Sequence, residues 1–247
     1  MQRMPDLSHS FGRRQVDPQQ RRQLVRNVFA RVAPRYDLMN DLMSLGVHRY
    51  WKRVLARQAR QRPAADILDL AGGTGDVARL LLGLGPRVLV CDPGLEMMQV
   101  GRARGASPIH WLAGCAEALP LPDASLDLVT IAFGIRNVTR IEAALAEMHR
   151  VLRPGGRLLC LEFSRPAAWL RPFYDAYSRL VIPRLGAWVS GNPDAYHYLI
   201  DSIRVFPDQR ELCTLFEQAG FETVAYRNLS FGIACIHSGT RPSADGG

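Results

Sequence analysis

The segment Ile67-Leu-Asp-Leu70, followed by Ala71-Gly-Gly-Thr-Gly75 and a helical run opening at Asp76, constrains this chain more than any other feature. A short buried strand that passes through glycines directly into a helix is the start of a βα unit. The glycines let the backbone approach a ligand closely, and the helix N-terminus presents unpaired N–H groups. The alternation continues downstream. Strand-like runs at Arg87–Cys91, Ile109–Leu112, Leu126–Phe133 and Arg157–Phe163 are interleaved with helical runs at Leu95–Arg104 and Ile141–Leu152, and Arg153-Pro-Gly-Gly156 reads as a turn. Such alternation predicts βαβ units around a parallel sheet.

The 247 residues suffice for one large domain or two small ones, and an apolar fraction of 47% is ordinary for a globular core. No apolar run approaches the roughly 18 residues of a membrane span. Met1–Pro18 has no apolar stretch of secretory type, and residues 1–16 read as a disordered basic tail. Asp17-Pro18 is a helix start, after which Leu24, Val25, Val28, Phe29 and Val32 recur at helical spacing until Pro34. A second helix is expected over Val47–Gln61. Trp51, Val54, Leu55 and Gln58 share one of its faces, and Arg49, Arg53, Arg57 and Arg60 line the other. Residues 164–206 interrupt the alternation with an aromatic, helical insertion containing Trp169, Phe173, Tyr174, Tyr177, Trp188, Tyr196, Tyr198 and Phe206. It reads either as a layer covering the sheet edge or as a lid over an apolar substrate. A helix at Asp208–Ala219 and strands near Phe221–Asn228 and Gly232–His237 complete the chain, with a frayed tail at its end.

The formal net charge is +8. Residues 1–65 hold 14 basic and four acidic side chains (+10), and the remainder holds 17 basic and 19 acidic (−2). The basic character therefore belongs to the N-terminal quarter, which suits nucleic acid, an anionic membrane surface or a solvated helix face. The five cysteines are odd in number with no C-x-x-C pair, and the six histidines show no metal-ligand spacing. Neither a disulfide framework nor a metal centre is expected, and a reducing cytoplasm fits.

Asp92 ends the strand after the glycine loop, where a carboxylate can accept hydrogen bonds from both ribose hydroxyls of an adenosine. A dinucleotide and S-adenosylmethionine compete for this arrangement. The literal G-x-G-x-x-G is missing, and Asp76 stands where a pyrophosphate would bring two negative charges. The sulfonium and ammonium of S-adenosylmethionine suit acidic surroundings better.

The glycine loop, Asp92 and the run Ala116-Glu-Ala-Leu-Pro-Leu-Pro-Asp-Ala-Ser-Leu-Asp-Leu-Val129 resemble a class I S-adenosylmethionine-dependent methyltransferase. Within that class, Tyr36-Asp-Leu-Met-Asn-Asp41, Phe133-Gly-Ile-Arg-Asn-Val138, Leu161-Glu-Phe-Ser-Arg-Pro166 and Ser202-Ile-Arg-Val-Phe-Pro-Asp-Gln209 resemble the ubiquinone/menaquinone biosynthesis C-methyltransferases. The resemblance covers about residues 24–240. It implies an α/β, Rossmann-like, mostly parallel seven-stranded sheet ending in an antiparallel hairpin. One methyltransferase domain is expected over 17–240, with an N-terminal helical cap (17–62), the insertion (164–206) and a disordered end (241–247). The resemblance further implies that Gly73, Thr74 and Gly75 hold the methionine part of the cofactor, Asp92 the ribose, and Cys115 and Ala116 the adenine. Position 115 departs from the family's usual Asn, and a thiol is a poor hydrogen-bonding substitute. Ala132, where Ser is common in the family, is a second departure.

Methylating an aromatic carbon needs an electron-rich ring, which a quinol supplies on losing a hydroxyl proton. Positioning, water exclusion and help with that proton are the protein's part. Arg136 and Asn137 follow the central strand at its C-terminal end. A guanidinium there would stabilise a phenolate, or else pair with a buried carboxylate. Asp76 is expected to share a proton-accepting water with Arg136, or to serve as a first-turn helix acid. Tyr36 reads as a contact to quinol or cofactor, or as packing. The partners on this reading are a polyprenylated quinol, an anionic membrane surface met by the Arg49/Arg53/Arg57/Arg60 stripe, and other quinone-biosynthesis enzymes or a second copy. The protein is placed in the cytoplasm, at the inner face of the membrane, without nucleic acid. A methyltransferase acting on RNA and a non-enzymatic partner subunit are the rivals.

Overall fold

A computed structural model describes residues 9–11, 14–105, 107–180 and 193–243. Asp17 caps α1 (Pro18–Val32), its carboxylate accepting from the N–H groups of Gln19 and Gln20. After a 3-10 turn at Ala33–Arg35 the chain forms α2 (Tyr36–Ser44), reverses through left-handed Leu45 and Gly46, and enters α3 (Val47–Ala59). The tail expected over 1–16 is corrected at its end: Ser10–Phe11 and Arg14–Gln15 pair as an antiparallel ribbon, and Phe11 stacks on Tyr198 at 4.4 Å between ring centroids.

The sheet begins with β1 (Asp66–Leu70), followed by α4 (Asp76–Leu81), β2 (Arg87–Asp92), α5 (Leu95–Ala103), β3 (Ile109–Ala113), β4 (Leu126–Ala132), α6 (Ile141–Val151) and β5 (Leu152–Phe163). Next come α7 (Arg171–Leu180), α8 (Pro193–Val205), α9 (Gln209–Gln218), β6 (Glu222–Leu229) and β7 (Ala234–Thr240). The seven strands lie in the order β3-β2-β1-β4-β5-β7-β6. The first five are parallel, and the last two join antiparallel as a hairpin. The Pro-Gly-Gly stretch read as a turn lies inside β5, where the register to β4 shifts between the pairings Leu126↔Leu152 and Leu128↔Arg157. Gly155, at φ +78°, permits that irregularity. Within the insertion α7 and α8 are helical, while Trp188 lies outside the described residues.

Alternate strand residues divide between two apolar layers, because successive side chains point to opposite faces. Leu68, Leu70, Val129, Leu158 and Cys160 pack with α6 and α9 (Leu145, Met148, Leu212, Phe216). Ile67, Val88, Val90, Leu128 and Leu159 pack with α3 and α4 (Trp51, Leu55, Ala78, Leu81). Cys91, Cys160 and Cys235 are buried as small hydrophobes. At the start of the expected disordered end (241–247), Arg241 donates through Nη1 to the carbonyls of His149, Arg150 and Leu152 at the end of α6, and residues 244–247 lie outside the described residues. Among the described residues, no helix is long and apolar enough to cross a membrane.

The strand order reverses between β1 and β4. Connections leaving a reversal point diverge and open a crevice at the carboxyl ends of the strands. The loops after β1, β2 and β4 meet there, and α1 covers them.

Candidate active site

Two non-glycine residues mark the crevice. Ala71 (φ +49°) follows β1 and Phe133 (φ +57°) follows β4, both in the left-handed region that costs a side-chain-bearing residue conformational energy. A Cβ on Gly134 would stand 2.6 Å from that of Ala71, so the two turns approach as closely as glycine allows. The cavity beside them has a volume of about 900 Å³, counting the space open to solvent at its mouth. Gly73, Asp92, Met97, Cys115, Ala116 and Glu117 are among its lining residues, as are Arg22, Arg26, Phe29, Tyr36, Phe133 and Asn137.

Asp92 is braced from two sides. Its Oδ2 accepts from the N–H of Gly73 at 2.9 Å and its Oδ1 from that of Gly94 at 2.7 Å. Burial pushes its carboxyl up to about 6, while these two N–H groups favour the carboxylate. Beneath the loop, buried Asp69 accepts from Ala78 N–H and Thr130 Oγ1, and burial pushes its carboxyl up to about 7. A Cβ on Gly72 would come within 2.8 Å of Asp69 Oδ2, so the loop can lie down on this carboxylate only with glycine there. The result is a shallow cradle with a carboxylate at its rim and no cationic side chain among the loop residues 71–75. That donor set suits a ribose and a cationic sulfonium.

The candidate residues separate into three groups. Gly73, Asp92, Cys115, Ala116, Tyr36 and Asn137 line the cavity. Thr74 and Gly75 shape the loop from behind: Thr74 is buried, and Gly75, at φ +79°, carries the chain into α4. Arg136 and Asp76 do not line the cavity. The Nη1 of Arg136 donates to Glu162 Oε1 at 2.6 Å and to the carbonyl of Phe133 at 2.7 Å, and its guanidinium lies over the Phe163 ring at 5.4 Å. Of the two readings for Arg136, the structure gives the buried ion pair. Asp76 accepts from Lys52 Nζ at 3.0 Å and Arg104 Nη1 at 2.8 Å. Burial pushes its carboxyl up, but the Lys52 and Arg104 charges outweigh this and hold it below the usual carboxylate range. Asp76 and Arg136 thus belong to different ion pairs, Asp76 with Lys52 and Arg104 and Arg136 with Glu162.

Three contributors escaped the sequence reading. Arg22, Val25, Arg26 and Phe29 line the cavity from α1, and their spacing of three, four and seven positions marks one helix face. Arg21 is 2% exposed despite its charge. Its Nη1 donates to the carbonyls of Asn137 and Val138, its Nη2 to that of Arg136, and its Nε to that of Ser10. This one guanidinium ties α1 to the turn after β4. Glu162, a lone carboxylate in an apolar strand, carried the signal of a buried partner. Asn137 also accepts from the Tyr198 hydroxyl at 3.0 Å, so the insertion reaches the same turn.

This crevice, at the reversal point of a 3-2-1-4-5-7-6 sheet, defines a class I S-adenosylmethionine-dependent methyltransferase. Solved structures agree on the fold. An S-adenosylmethionine-dependent methyltransferase of Thermotoga maritima superposes with TM-score 0.63 at 22% identity, over 88% of this chain and 99% of that one. Phosphoethanolamine N-methyltransferase 2 of Haemonchus contortus, in complex with S-adenosyl-L-methionine, gives 0.59 at 12% identity, over 77% of this chain and 52% of that one. The sequence model of the ubiE/COQ5 methyltransferase family matches residues 15–241, and the chain belongs to that family. Among its relatives, the ubiquinone/menaquinone biosynthesis C-methyltransferase UbiE of Rubrivivax gelatinosus is 60% identical over 238 residues, 96% of this chain and 95% of that one. The protein of the same name from Caulobacter vibrioides is 50% identical over 249 residues, 96% of this chain and 99% of that one. The chain is an S-adenosylmethionine-dependent C-methyltransferase.

Proposed function

We propose that this enzyme methylates a ring carbon of a polyprenylated quinol, 2-methoxy-6-polyprenyl-1,4-benzoquinol or demethylmenaquinol, in ubiquinone/menaquinone biosynthesis. The observation that carries this reading is the sharing of one cavity by the Gly73/Asp92/Ala116 cradle and by Tyr36, Phe133 and Asn137. S-adenosylmethionine supplies a methyl group activated on a sulfonium. Asp92 holds the ribose through both carboxylate oxygens. The Ala116 backbone serves the adenine, and the Cys115 thiol, facing the cavity, adds contact rather than a strong hydrogen bond.

The ring must be poor in protons and rich in electrons, and the cavity favours both. Arg22 and Arg26 face it from α1, where their positive charge lowers the cost of ionising a quinol hydroxyl. Tyr36 and Asn137 supply a hydroxyl and an amide to orient that oxygen. Arg136 acts one step removed, as a positioning residue that pins the carbonyl of strained Phe133 and so fixes the wall against which the ring lies. Apolar side chains dominate the remaining lining and exclude water.

The basic N-terminal quarter is read here as a peripheral contact to an anionic membrane. Arg53 and Arg57 are exposed, whereas Arg49 pairs with Asp41 and Arg60 donates to the carbonyls of Leu80 and Leu82. Deleting the gene in its host and identifying the accumulated quinone by mass spectrometry tests the reaction. A demethylated benzoquinone or naphthoquinone is expected, and an unchanged quinone pool contradicts it.

A further inference from the structure

A side-chain amide can face a ligand with its donor end or its acceptor end, and the two ends favour opposite charges. Asn137 lines the cavity, and its neighbours decide which end it can turn. Its Nδ2 donates to the Phe133 carbonyl at 3.3 Å, and its Oδ1 accepts from the Tyr198 hydroxyl at 3.0 Å. The Phe133 carbonyl has only lone pairs to offer, and it already accepts from Arg136 Nη1 at 2.7 Å. Turning the amide over would set Oδ1 against that carbonyl, oxygen against oxygen. The nitrogen therefore stays on the Phe133 side, and the Tyr198 hydroxyl is the donor in its bond to Oδ1. One N–H of Nδ2 is spent on Phe133, and the second remains for a ligand in the cavity that Phe133 and Asn137 both line.

Tyr198 reaches this amide from α8 of the insertion, 61 positions along the chain. It is 3% exposed, and its ring stacks on Phe11 at an interplanar angle of 14°. Burial pushes its hydroxyl above the ordinary tyrosine range, so it keeps its proton and stays a donor. The backbone of Asn137 is held by other groups: its carbonyl accepts from Arg21 Nη1 at 3.0 Å, and its N–H donates to the Gly134 carbonyl at 3.0 Å. The Tyr198 hydroxyl therefore acts on the side-chain amide and not on the turn that carries it.

We propose that Tyr198 is a positioning residue for the methyl transfer: its hydroxyl holds Oδ1 of Asn137, so that the amide meets the quinol oxygen with an N–H and stabilises it as the phenolate. The proposal rests on the quinol reading above and deepens it by fixing the polarity of one group at the ring. A donor at that oxygen favours the anion that makes the ring carbon nucleophilic, whereas an amide oxygen there would oppose it. A hydroxyl outside the cavity thereby governs chemistry inside it, through a single side chain.

The test compares Tyr198→Phe, Asn137→Ala and the double variant with the unmodified enzyme on a short-chain quinol kept reduced. Tyr198→Phe removes one oxygen and leaves a ring to stack on Phe11. It should lower kcat and kcat/KM together by about tenfold, the value of one hydrogen bond to a charge that forms in the transition state. Calorimetric affinity for S-adenosylmethionine should stay the same. The double variant should be no slower than Asn137→Ala alone, because no amide is left to orient. Full activity in Tyr198→Phe or in Asn137→Ala overturns the proposal. So does a Tyr198→Phe loss that multiplies onto that of Asn137→Ala, or one matched by a fall in cofactor affinity, since either marks a structural prop. If the unmodified enzyme methylates no quinol, the function reading fails on its own. Titration of the same proteins with 4-nitrophenolate, a coloured phenolate, then decides this inference without turnover: weaker binding by Tyr198→Phe supports it, and equal binding overturns it.

Discussion

The Nη1 of Arg136 lies 2.6 Å from Oε1 of Glu162, and both side chains are almost wholly buried, at 4% and 1% exposure. The pair spans 26 residues of sequence but only one step of the sheet, because β4 and β5 are neighbours and Phe133 N–H donates to the carbonyl of Leu161. The sequence leaves Arg136 open between a phenolate clamp and the partner of a buried carboxylate, and the structure holds it in the ion pair. Arg136→Ala strands a buried carboxylate and should cost about 3–5 kcal/mol of stability. Replacing both partners with apolar residues should cost much less. Urea denaturation of the single and double variants checks this; equal losses would show that the pair is not coupled.

Arg21 is a strut for the same turn. Arg21→Ala removes charge-assisted hydrogen bonds to the turn carrying Arg136, Asn137 and Val138, and should destabilise the protein by about 1.5–3 kcal/mol. Turnover should fall more than cofactor affinity, since the turn lines the ring side of the cavity. Calorimetric affinity falling in parallel with kcat would contradict that division.

Asp92 sets the pH dependence of cofactor binding. Burial raises its carboxyl to about 6, and only the ionised form accepts from a ribose hydroxyl at each oxygen, in bonds stronger than a neutral carboxyl makes. The bound carboxyl must therefore titrate lower than the free one. Affinity should be constant above about pH 6 and weaken below it, by up to tenfold per pH unit. Asp92→Ala should lower affinity by at least about ten- to a hundredfold at pH 7.5, the value of one hydrogen bond to a charged group. Isothermal calorimetry across pH 5–8 measures both, and a flat profile would remove Asp92 from the ribose site.

Gly101 supports the glycine loop from α5. A Cβ there would collide with the Trp111 ring and approach the Thr74 carbonyl to 2.7 Å. Gly101→Ala should cost about 1–3 kcal/mol and weaken S-adenosylmethionine binding by displacing the loop. Full affinity with normal stability would mean that α5 moves freely.

For the membrane contact, Arg53 and Arg57 are the side chains to change, since Arg49 and Arg60 already have partners within the fold. Arg53→Gln with Arg57→Gln should reduce partition onto anionic vesicles roughly 30-fold, at about 1 kcal/mol per side chain. Flotation indifferent to the change would return these arginines to a solvated helix face.

Much of this architecture can be read from local pattern. Ile67–Leu70 and Leu126–Ile131 carry apolar side chains on both faces, interrupted by Asp69, Asp127 and Thr130, because parallel strands are covered on both faces. Asp17-Pro18 starts α1, and Asp208 starts α9 with a complete capping box, since both use side chains only a few residues from the backbone they cap. Alpha-helix α2 was hidden: Pro34 marks a stop, and the nine residues of Tyr36–Ser44 are too short to show a period of their own. The contacts of Arg136, Asp76 and Arg21 were not legible for one reason. Their partners Glu162, Lys52 and the carbonyls after β4 are distant in sequence and adjacent only once the sheet has formed.

The most direct test of the central claim is methyl transfer by the purified protein, with methyl-labelled S-adenosylmethionine and a short-chain demethylquinol kept reduced. Label is expected on a ring carbon of the quinol, formed by the unmodified enzyme and strongly reduced in Asp92→Ala at limiting cofactor. Label on a quinol oxygen, or none on the quinol while RNA accepts it, would contradict the account.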